Sequence, residues 1–242
     1  MRMYSELAPW FHLLTHPSDY EEEAALVVRL VEAAIEGEAE TLLELGSGGG
    51  NNASHLKRRF RCTLTDVSLD MLDLSATINP ECEHVQGDMR ALRLGREFDA
   101  VFVHDAVMYM TTEDDLGAAI ETAAAHVRPG GVVVLMPDTT RERLLPETRS
   151  GGHDGEDGRS LRYLEWTVDP DPADTTYQVD FAILLREPRK PLRIEHDHHV
   201  FGVFPDGTWR RLIAESGLEL AEVAADDPGA GGSVVFVARR PQ

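Results

Sequence analysis

The sequence predicts an α/β protein with a mostly parallel, doubly wound sheet and a second, antiparallel sheet inserted into it. Short apolar strands alternate with helices at regular spacing from about residue 40 to residue 137. Three strand-like runs, 160–168, 175–186 and 192–204, then follow one another without a helical pattern between them. The 242 residues suffice for one such domain with an elaboration.

Helix and strand signals follow in order along the chain. Residues 5–14 and 19–36 are predicted helices, and apolar side chains recur at helical spacing in the second until Gly37. The run 98–104 is apolar almost throughout, which is typical of a strand buried on both faces. The other predicted strands are 41–45, 62–66, 83–86, 132–136, 218–224 and 233–238, and the other predicted helices are 51–60, 68–75, 113–127 and 206–216.

The segment after Pro137 departs from the strand–helix alternation. Residues 146–158 are rich in Gly and Asp and are predicted to form a loop ahead of the three strand-like runs. The expected division is a main domain of residues 1–137 and 205–242, with residues 138–204 inserted as an antiparallel, three-stranded lid. The last two strands are joined by a short Gly-rich connection, which favours a hairpin.

The charge of the chain restricts its partners. A net charge of −20, from 23 basic and 43 acidic residues, disfavours nucleic acid and anionic membranes. No apolar run is long enough to cross a bilayer, and no signal-peptide core follows the first residues, so a cytoplasmic protein is expected. Cys62 and Cys82 are not in a paired Cys-x-x-Cys arrangement and do not predict a zinc site.

A glycine-rich turn after the first strand is the strongest local signal. Glycine at positions 46 and 48–50 lets the backbone approach a ligand at the carboxyl end of the sheet. A dinucleotide site would want a third spaced glycine, and Asn51 stands there instead. Glu44 ends the strand, and its carboxylate would repel a phosphate but suits an ammonium group. S-adenosylmethionine carries an ammonium and a sulfonium and no phosphate.

Two further acids follow the next two strands. Asp66 ends the second strand, where an acid can accept both hydroxyls of a ribose. Asp88 follows the third strand, where it can accept from an adenine amino group while Met89 packs on the ring. Each feature alone has a simpler explanation, a helix cap for Asp66 and a turn for Asp88.

Taken together, segments 44–48, 66–72, 87–89 and 129–131 resemble the motifs of class I S-adenosylmethionine methyltransferases in order and spacing. The resemblance implies a Rossmann-like, seven-stranded sheet with a reversed last strand. It also implies Glu44 near the methionine amine, Asp66 on the ribose and Asp88 at the adenine. The complete set of implied cofactor-binding residues is Tyr20, Glu44, Gly46, Ser47, Gly48, Asp66, Val67, Asp88, Met89 and His104.

A closer resemblance extends over most of the chain. It is to the N-methyltransferases that dimethylate nucleotide-linked amino sugars in antibiotic biosynthesis, and it implies that Tyr20 closes over the cofactor while the inserted sheet roofs the acceptor pocket. This chain has Trp10, Phe11 and His12 where N-terminal tyrosines are expected near the sugar amine, which leaves the acceptor open. The residues that carry this resemblance are Asp19, Tyr20, Glu23, Asp197, His199, Phe204, Gly217, Leu218 and Leu220.

Two histidines are the candidate catalytic residues. His104 ends the fourth strand, at the rim where a transferred methyl should lie, and His199 is predicted to face the acceptor pocket. Alternation along the strand puts His196 and His198 on the opposite face from His199. That face offers two metal ligands but no third by spacing, so no metal site is predicted.

The function predicted is methyl transfer from S-adenosylmethionine to a nitrogen or oxygen of a small molecule in secondary metabolism. Two alternatives stay open, a NAD-dependent reductase and a catalytically inactive binding module with this fold. The oligomeric state is also open, with a homodimer as one option.

Overall fold

The computed structural model of the protein describes residues 1–225 and 234–242. Its strands are β1 (Thr41–Leu45), β2 (Arg61–Asp66), β3 (Glu83–Gln86), β4 (Phe98–Val103), β5 (Val127–Leu135), β6 (Glu147–Gly151), β7 (Ser160–Val168), β8 (Thr176–Arg186), β9 (Arg193–Gly202), β10 (Glu219–Ala225) and β11 (Val234–Arg239). Its helices are α1 (Phe11–Leu14), α2 (Glu21–Ala34), α3 (Ala53–Leu56), α4 (Leu69–Ile78), α5 (Glu113–His126) and α6 (Asp206–Glu215), with 3-10 turns at Ala8–Trp10, Pro17–Tyr20 and Asp105–Tyr109.

The main sheet has seven strands across the described residues, in the order β10-β11-β5-β4-β1-β2-β3. The strands from β5 to β3 run parallel, and β11 runs antiparallel to both of its neighbours. This confirms the expected seven-stranded sheet with a reversed last strand. The hairpin pairing of β10 with β11 is also confirmed, whereas its predicted Gly-rich turn lies outside the described residues.

The central strands are buried on both faces, as the apolar run 98–104 predicts. Leu43 and Val101 belong to the core on the side of α5 and α6, and Leu42 and Phe102 belong to the core on the side of α2 and α3. A sheet covered in this way opens to a ligand at the carboxyl ends of its strands. Within the described part of the chain, no helix is long and apolar enough to cross a membrane.

The inserted sheet is separate from the main one and antiparallel throughout, in the order β6-β7-β8-β9. Its last three strands confirm the three predicted runs. The loop predicted for 146–158 is wrong at its start, because β6 pairs with β7 there. β6 is an edge strand whose side chains are nearly all exposed, so it carries no apolar alternation that could reveal it.

Two predicted helices are shorter than expected. The range 5–14 contains a 3-10 turn followed by the four residues of α1, and the helix after the glycines is reduced to α3. Both segments bring irregular backbone to the carboxyl edge of the main sheet. That irregularity is where a binding site forms, since loops carry functional groups that regular elements hold in place.

The inserted sheet is joined to the main domain by a close backbone contact. A Cβ built on Gly202, the last residue of β9, would lie 1.8 Å from the carbonyl oxygen of Met110. Met110 directly follows the 3-10 turn that ends at Tyr109. Gly202 therefore sets how closely β9 approaches that turn.

Replacing Gly202 by alanine should separate β9 from the turn and lower the free energy of unfolding by about 2 to 3 kcal/mol. Gly207→Ala is the matched control, because within the described chain no atom lies within 4 Å of a Cβ at this position in α6. The control should be neutral or stabilise by about 0.5 kcal/mol. Urea unfolding measures both, and equal midpoints for the two variants would contradict this account of the contact.

Candidate active site

A cavity of about 1020 Å³ lies between the carboxyl ends of the main strands and the inner face of the inserted sheet. Tyr4 and Phe11 from the N-terminal segment line it as well. Every residue predicted to contact the cofactor lines this one cavity: Tyr20, Glu44, Gly46, Ser47, Gly48, Asp66, Val67, Asp88, Met89 and His104.

The floor of the cavity is bare backbone at the glycine turn. Gly46 has a φ of 75°, and a Cβ there would lie 2.4 Å from the Cβ of Ala106 and 2.7 Å from the Cε of Met89. The N–H groups of Gly46 and Ser47 both donate to the carbonyl of Thr65 at 2.8 Å. This turn thus fixes the end of β1 against the end of β2 and leaves a surface that a ligand can approach closely.

Glu44 is a buried carboxyl that lines this cavity. It is 2% exposed, and among the described residues its Oε2 atom has no hydrogen-bond partner. Burial raises the pKa of Glu44 to about 8, protonated His104 opposes that rise, and the carboxyls of Glu23 and Asp66 add to it. A buried carboxylate is costly unless a cation or a proton compensates it, so the site fits an ammonium group.

The acids after β2 and β3 take up different surroundings. Asp66 accepts the N–H of Gly48 at 2.9 Å on one oxygen and the N–H of Ser68 at 2.8 Å on the other. Asp88 lies at the cavity in an ion pair with Arg90, at 2.6 Å. Val67 stands beside Asp66 with 61% of its surface exposed, which is an apolar side chain for a flat ring to cover.

A small ion-paired group forms one wall, where α2 meets the end of β4. His104 Nε2 lies 2.9 Å from Glu23 Oε1 and 3.1 Å from Asp105 Oδ1. Burial opposes the charged imidazole, but the hydrogen bond to Glu23 and its charge outweigh it and raise the pKa of His104. The ring of Tyr20 stands edge-on to His104, with 6.1 Å between the ring centroids.

Asp138 forms a carboxyl pair with Asp105, and no sequence motif predicts that neighbour. Both line the cavity, where Asp138 is exposed and Asp105 is partly exposed. Partial removal from water and the charge of Glu23 raise the pKa of Asp105 to about 7. Removal from water and the charge of Asp105 raise the pKa of Asp138 well above its usual range. Neighbouring carboxyls oppose each other's ionisation, so the pair keeps a proton to higher pH than an isolated aspartate does.

The structure corrects the prediction that His199 faces the pocket. His199 is 3% exposed, and it is not among the described residues that line the cavity. Its Nδ1 atom lies 2.7 Å from the hydroxyl of Tyr109, and Tyr109 does line the cavity. Strand alternation gives the face of His199 correctly but cannot show that a side chain from another element covers it.

Two tyrosines, Tyr4 and Tyr109, line the cavity although neither is among the site residues predicted from the sequence. The hydroxyl of Tyr109 lies 3.0 Å from that of Tyr4, and both reach the cavity. Tyr4 is an N-terminal tyrosine that the comparison with Trp10, Phe11 and His12 missed, because it lies earlier in the chain. Tyr109 ends a 3-10 turn after β4 and follows no motif.

The outer face of β9 carries the other two histidines of the cluster. His196 and His198 both contact Asp180 of β8, at 3.0 and 2.9 Å, and both are exposed. The described residues contain no group of three or more His, Cys, Asp or Glu side chains arranged to hold a metal ion.

Comparison with known proteins agrees with this geometry. A methyltransferase-domain family model matches residues 42–131. The dTDP-3-amino-3,4,6-trideoxy-alpha-D-glucopyranose N,N-dimethyltransferase of Streptomyces venezuelae is 32% identical over 215 residues, which are 88% of this chain and 89% of that protein.

Two solved structures share the whole architecture. The crystal structure of Streptomyces venezuelae DesVI superposes with a TM-score of 0.84 at 27% identity, over 99% of this chain and 98% of that one. The S-adenosylmethionine-bound CalS10, an amino pentose methyltransferase from Micromonospora echinaspora, gives a TM-score of 0.77 at 26% identity, over 91% of each chain.

The sheet order, the glycine turn and the buried acid at the end of β1 define a class I methyltransferase that uses S-adenosylmethionine. Within that class, the chain belongs to the family of the amino-sugar N-methyltransferases. The reductase and the inactive binding module are not favoured.

Glu44→Gln should make the ligand-free protein more stable at high pH. Because the folded-state pKa of Glu44 is raised from 4.5 to about 8, stability is fully present below the ordinary value and is lost as the pH rises through the raised one. The variant should match the wild type near pH 5 and exceed its free energy of unfolding by about 2 to 4 kcal/mol near pH 9. Denaturant unfolding at both values measures the difference. An equal pH dependence in the two proteins would show that Glu44 is not buried as a carboxylate.

Proposed function

We propose that the enzyme methylates the amino group of a sugar-like small molecule, and that the cofactor lies along the cavity edge formed by β1, β2 and β3. The unpartnered, buried carboxyl of Glu44 supports an ammonium at the end of β1. Asp66 and Val67 would then face the ribose and adenine, and Asp88 the adenine edge.

The arrangement around His104 supports a positioning role in this scheme. Its contacts with Glu23 and Asp105 hold the imidazole at the cavity wall, and Tyr20 lies edge-on beside it. When bound, the cofactor supplies a methyl group on a sulfonium, which is an activated leaving group. The protein has to align acceptor, methyl carbon and sulfur and to exclude water.

The Asp105–Asp138 pair is the observation that favours nitrogen over oxygen as the atom that receives the methyl group. An alkyl amine reaches the enzyme largely as an ammonium, which the two carboxyls would attract. It must lose a proton before its lone pair can form the new N–C bond as the C–S bond breaks. Asp105, whose pKa is raised to about 7, can accept the proton that the ammonium loses near neutral pH. A monomethylated product would need the same proton removal before a second transfer.

The inserted segment 138–204 is proposed to act as the lid over the acceptor. Its inner face contributes aromatic walls, on which a sugar ring or a base can pack. Arg149 of β6 lines the cavity and is 58% exposed, so it can reach a diphosphate despite its ion pair with Glu147. The relative from Streptomyces venezuelae acts on a dTDP-linked amino sugar by its name. The inner-face aromatic residues are Tyr163, Tyr177, Phe181 and Phe201.

We also propose that the enzyme acts in the cytoplasm. The net charge of −20 supports work on small molecules rather than on nucleic acid. A homodimer stays compatible with the fold.

The acceptor test uses dTDP-3-amino-3,4,6-trideoxy-α-D-glucopyranose with S-adenosylmethionine. Mass spectrometry should detect one and then two added methyl groups. The matched substrate with a hydroxyl in place of the amine should stay unmodified, because its oxygen is not activated by a weakly basic carboxyl pair. Asp105→Asn should lower kcat by about 100-fold, because Asp105 has the lower pKa of the two and is the carboxyl free to take the proton, while S-adenosylhomocysteine binds as in the wild type. Methylation of the hydroxyl sugar, or full activity of the variant, would refute amine transfer through this pair.

A further inference from the structure

A buried hydrogen-bonded chain runs behind the cavity wall from the inserted sheet to the N-terminal segment. His199 is placed between Asp197 and Tyr109, with Nε2 3.1 Å from Asp197 Oδ2 and Nδ1 2.7 Å from the Tyr109 hydroxyl. The Tyr109 hydroxyl continues the chain to that of Tyr4 at 3.0 Å. Asp197 is 5% exposed and His199 is 3% exposed, so bulk water does not reach this chain, although His199 Nε2 makes only a close contact with Asp197 and no well-formed hydrogen bond.

The protonation of this chain follows from its members. Burial would raise the pKa of Asp197, but the N–H groups of Met3 and Arg2 and the nearby His199 outweigh it and lower the pKa, so the carboxyl is ionised. Burial lowers the pKa of His199, so the ring is neutral. An ionised carboxylate only accepts, and the single ring proton therefore lies on Nε2, although the contact is too bent for an ideal hydrogen bond.

The consequence for Tyr109 is a fixed direction of its hydroxyl. A neutral His199 with its proton on Nε2 has a bare Nδ1, which accepts the Tyr109 proton at 2.7 Å. Because the one Tyr109 proton is then committed to Nδ1, the 3.0 Å contact with Tyr4 requires the Tyr4 hydroxyl to donate, and the remaining lone pair of the Tyr109 oxygen is left for a ligand in the cavity. Such an oxygen can accept an N–H of an amine and so leave the nitrogen lone pair free to point elsewhere.

Asp197 also fixes the segment that carries Tyr4. Its two oxygens accept the N–H of Met3 at 2.8 Å and that of Arg2 at 3.1 Å. On the other side of the cavity, the Ser68 hydroxyl donates to the carbonyl of Tyr4 at 2.6 Å. One carboxylate thus holds both the ring behind Tyr109 and the backbone that brings Tyr4 across the cavity.

We propose that Asp197 and His199 are positioning residues that set the Tyr109 hydroxyl as a hydrogen-bond acceptor for the reacting amine. The pair does not touch the acceptor and acts through Tyr109. It also couples the docking of the segment around Tyr4 to the orientation of Tyr109. This inference rests on the proposed amine transfer, and it adds the group that orients the nitrogen.

The first test reads the histidine directly and needs no acceptor. Nitrogen-15 NMR of histidine-labelled protein, with the His199 signal assigned from its loss in His199→Asn, should show a neutral ring protonated on Nε2 at neutral pH. A ring protonated on Nδ1, or an imidazolium, would overturn the proposal, since neither leaves a bare Nδ1 for Tyr109.

The second test separates positioning from packing. His199→Asn keeps an acceptor oxygen near the place of Nδ1, whereas His199→Leu fills the buried site without one. With the dTDP-3-amino sugar as probe, the leucine variant should lose about 10- to 100-fold in kcat with little change in the KM for S-adenosylmethionine. The asparagine variant should recover most of that loss. Equal kcat values in the two variants would overturn the proposal.

A matched surface change completes the design. His196→Leu lies on the outer face of the same strand, and it should leave kcat unchanged. If the wild type does not methylate the amino sugar, the proposed function fails, and the NMR result alone then decides the tautomer. A ring protonated on Nε2 in a protein that does not methylate the amino sugar would refute the proposed function alone. A ring protonated on Nδ1 in an active protein would refute the positioning role alone.

Discussion

A carboxyl group buried at the end of a central strand governs the architecture of the site. Glu44 lies at the end of β1, between two parallel neighbours, and is 2% exposed. Removing a carboxylate from water costs several kcal/mol unless a cation or proton compensates it. The surrounding elements leave room for such a compensation, because the adjacent turn has glycine at positions 46 and 48–50 and the loop after β4 approaches Gly46 closely.

The second organising feature is the division between two sheets. The main parallel sheet supplies acids at the ends of β1, β2 and β4, and the antiparallel insert supplies aromatic walls opposite them. The two are held together by the contact of Gly202 with Met110 and by Asp197, whose oxygens reach the backbone near the N terminus. The cavity therefore depends on contacts far apart in sequence, and a change in the insert can alter a side chain on the main domain.

Sequence periodicity predicts most of the fold because buried strands and amphipathic helices leave a repeating pattern. The parallel sheet and three of the four inserted strands follow from it, whereas the reversed last strand is implied by the resemblance to class I methyltransferases. β6 does not, since an exposed polar edge strand pairs through its backbone and has no pattern to detect. The motif residues after β1, β2 and β3 converge on one cavity because the carboxyl ends of parallel strands share an edge.

The acceptor side is less accessible to sequence reasoning. The alternation of side chains along β9 correctly puts His199 on the inner face of that strand. Whether His199 reaches the cavity depends on Tyr109, which comes from a different element and covers it. Asp138 and Tyr4 belong to no motif and meet their partners only through the tertiary fold. Such residues become visible when the cavity is known, and the chemistry proposed here depends on them.

Proton release on cofactor binding tests the role of Glu44 most directly. At pH 7, below the raised pKa of about 8, the free protein holds Glu44 largely protonated. An ammonium placed beside it should ionise the carboxyl. Calorimetric titration with S-adenosylhomocysteine in buffers of different ionisation enthalpy should then show release of about one more proton from the wild type than from Glu44→Gln, together with weaker binding by the variant. Equal proton exchange and equal affinity in the two proteins would contradict the assignment of Glu44 as the site of the cofactor ammonium.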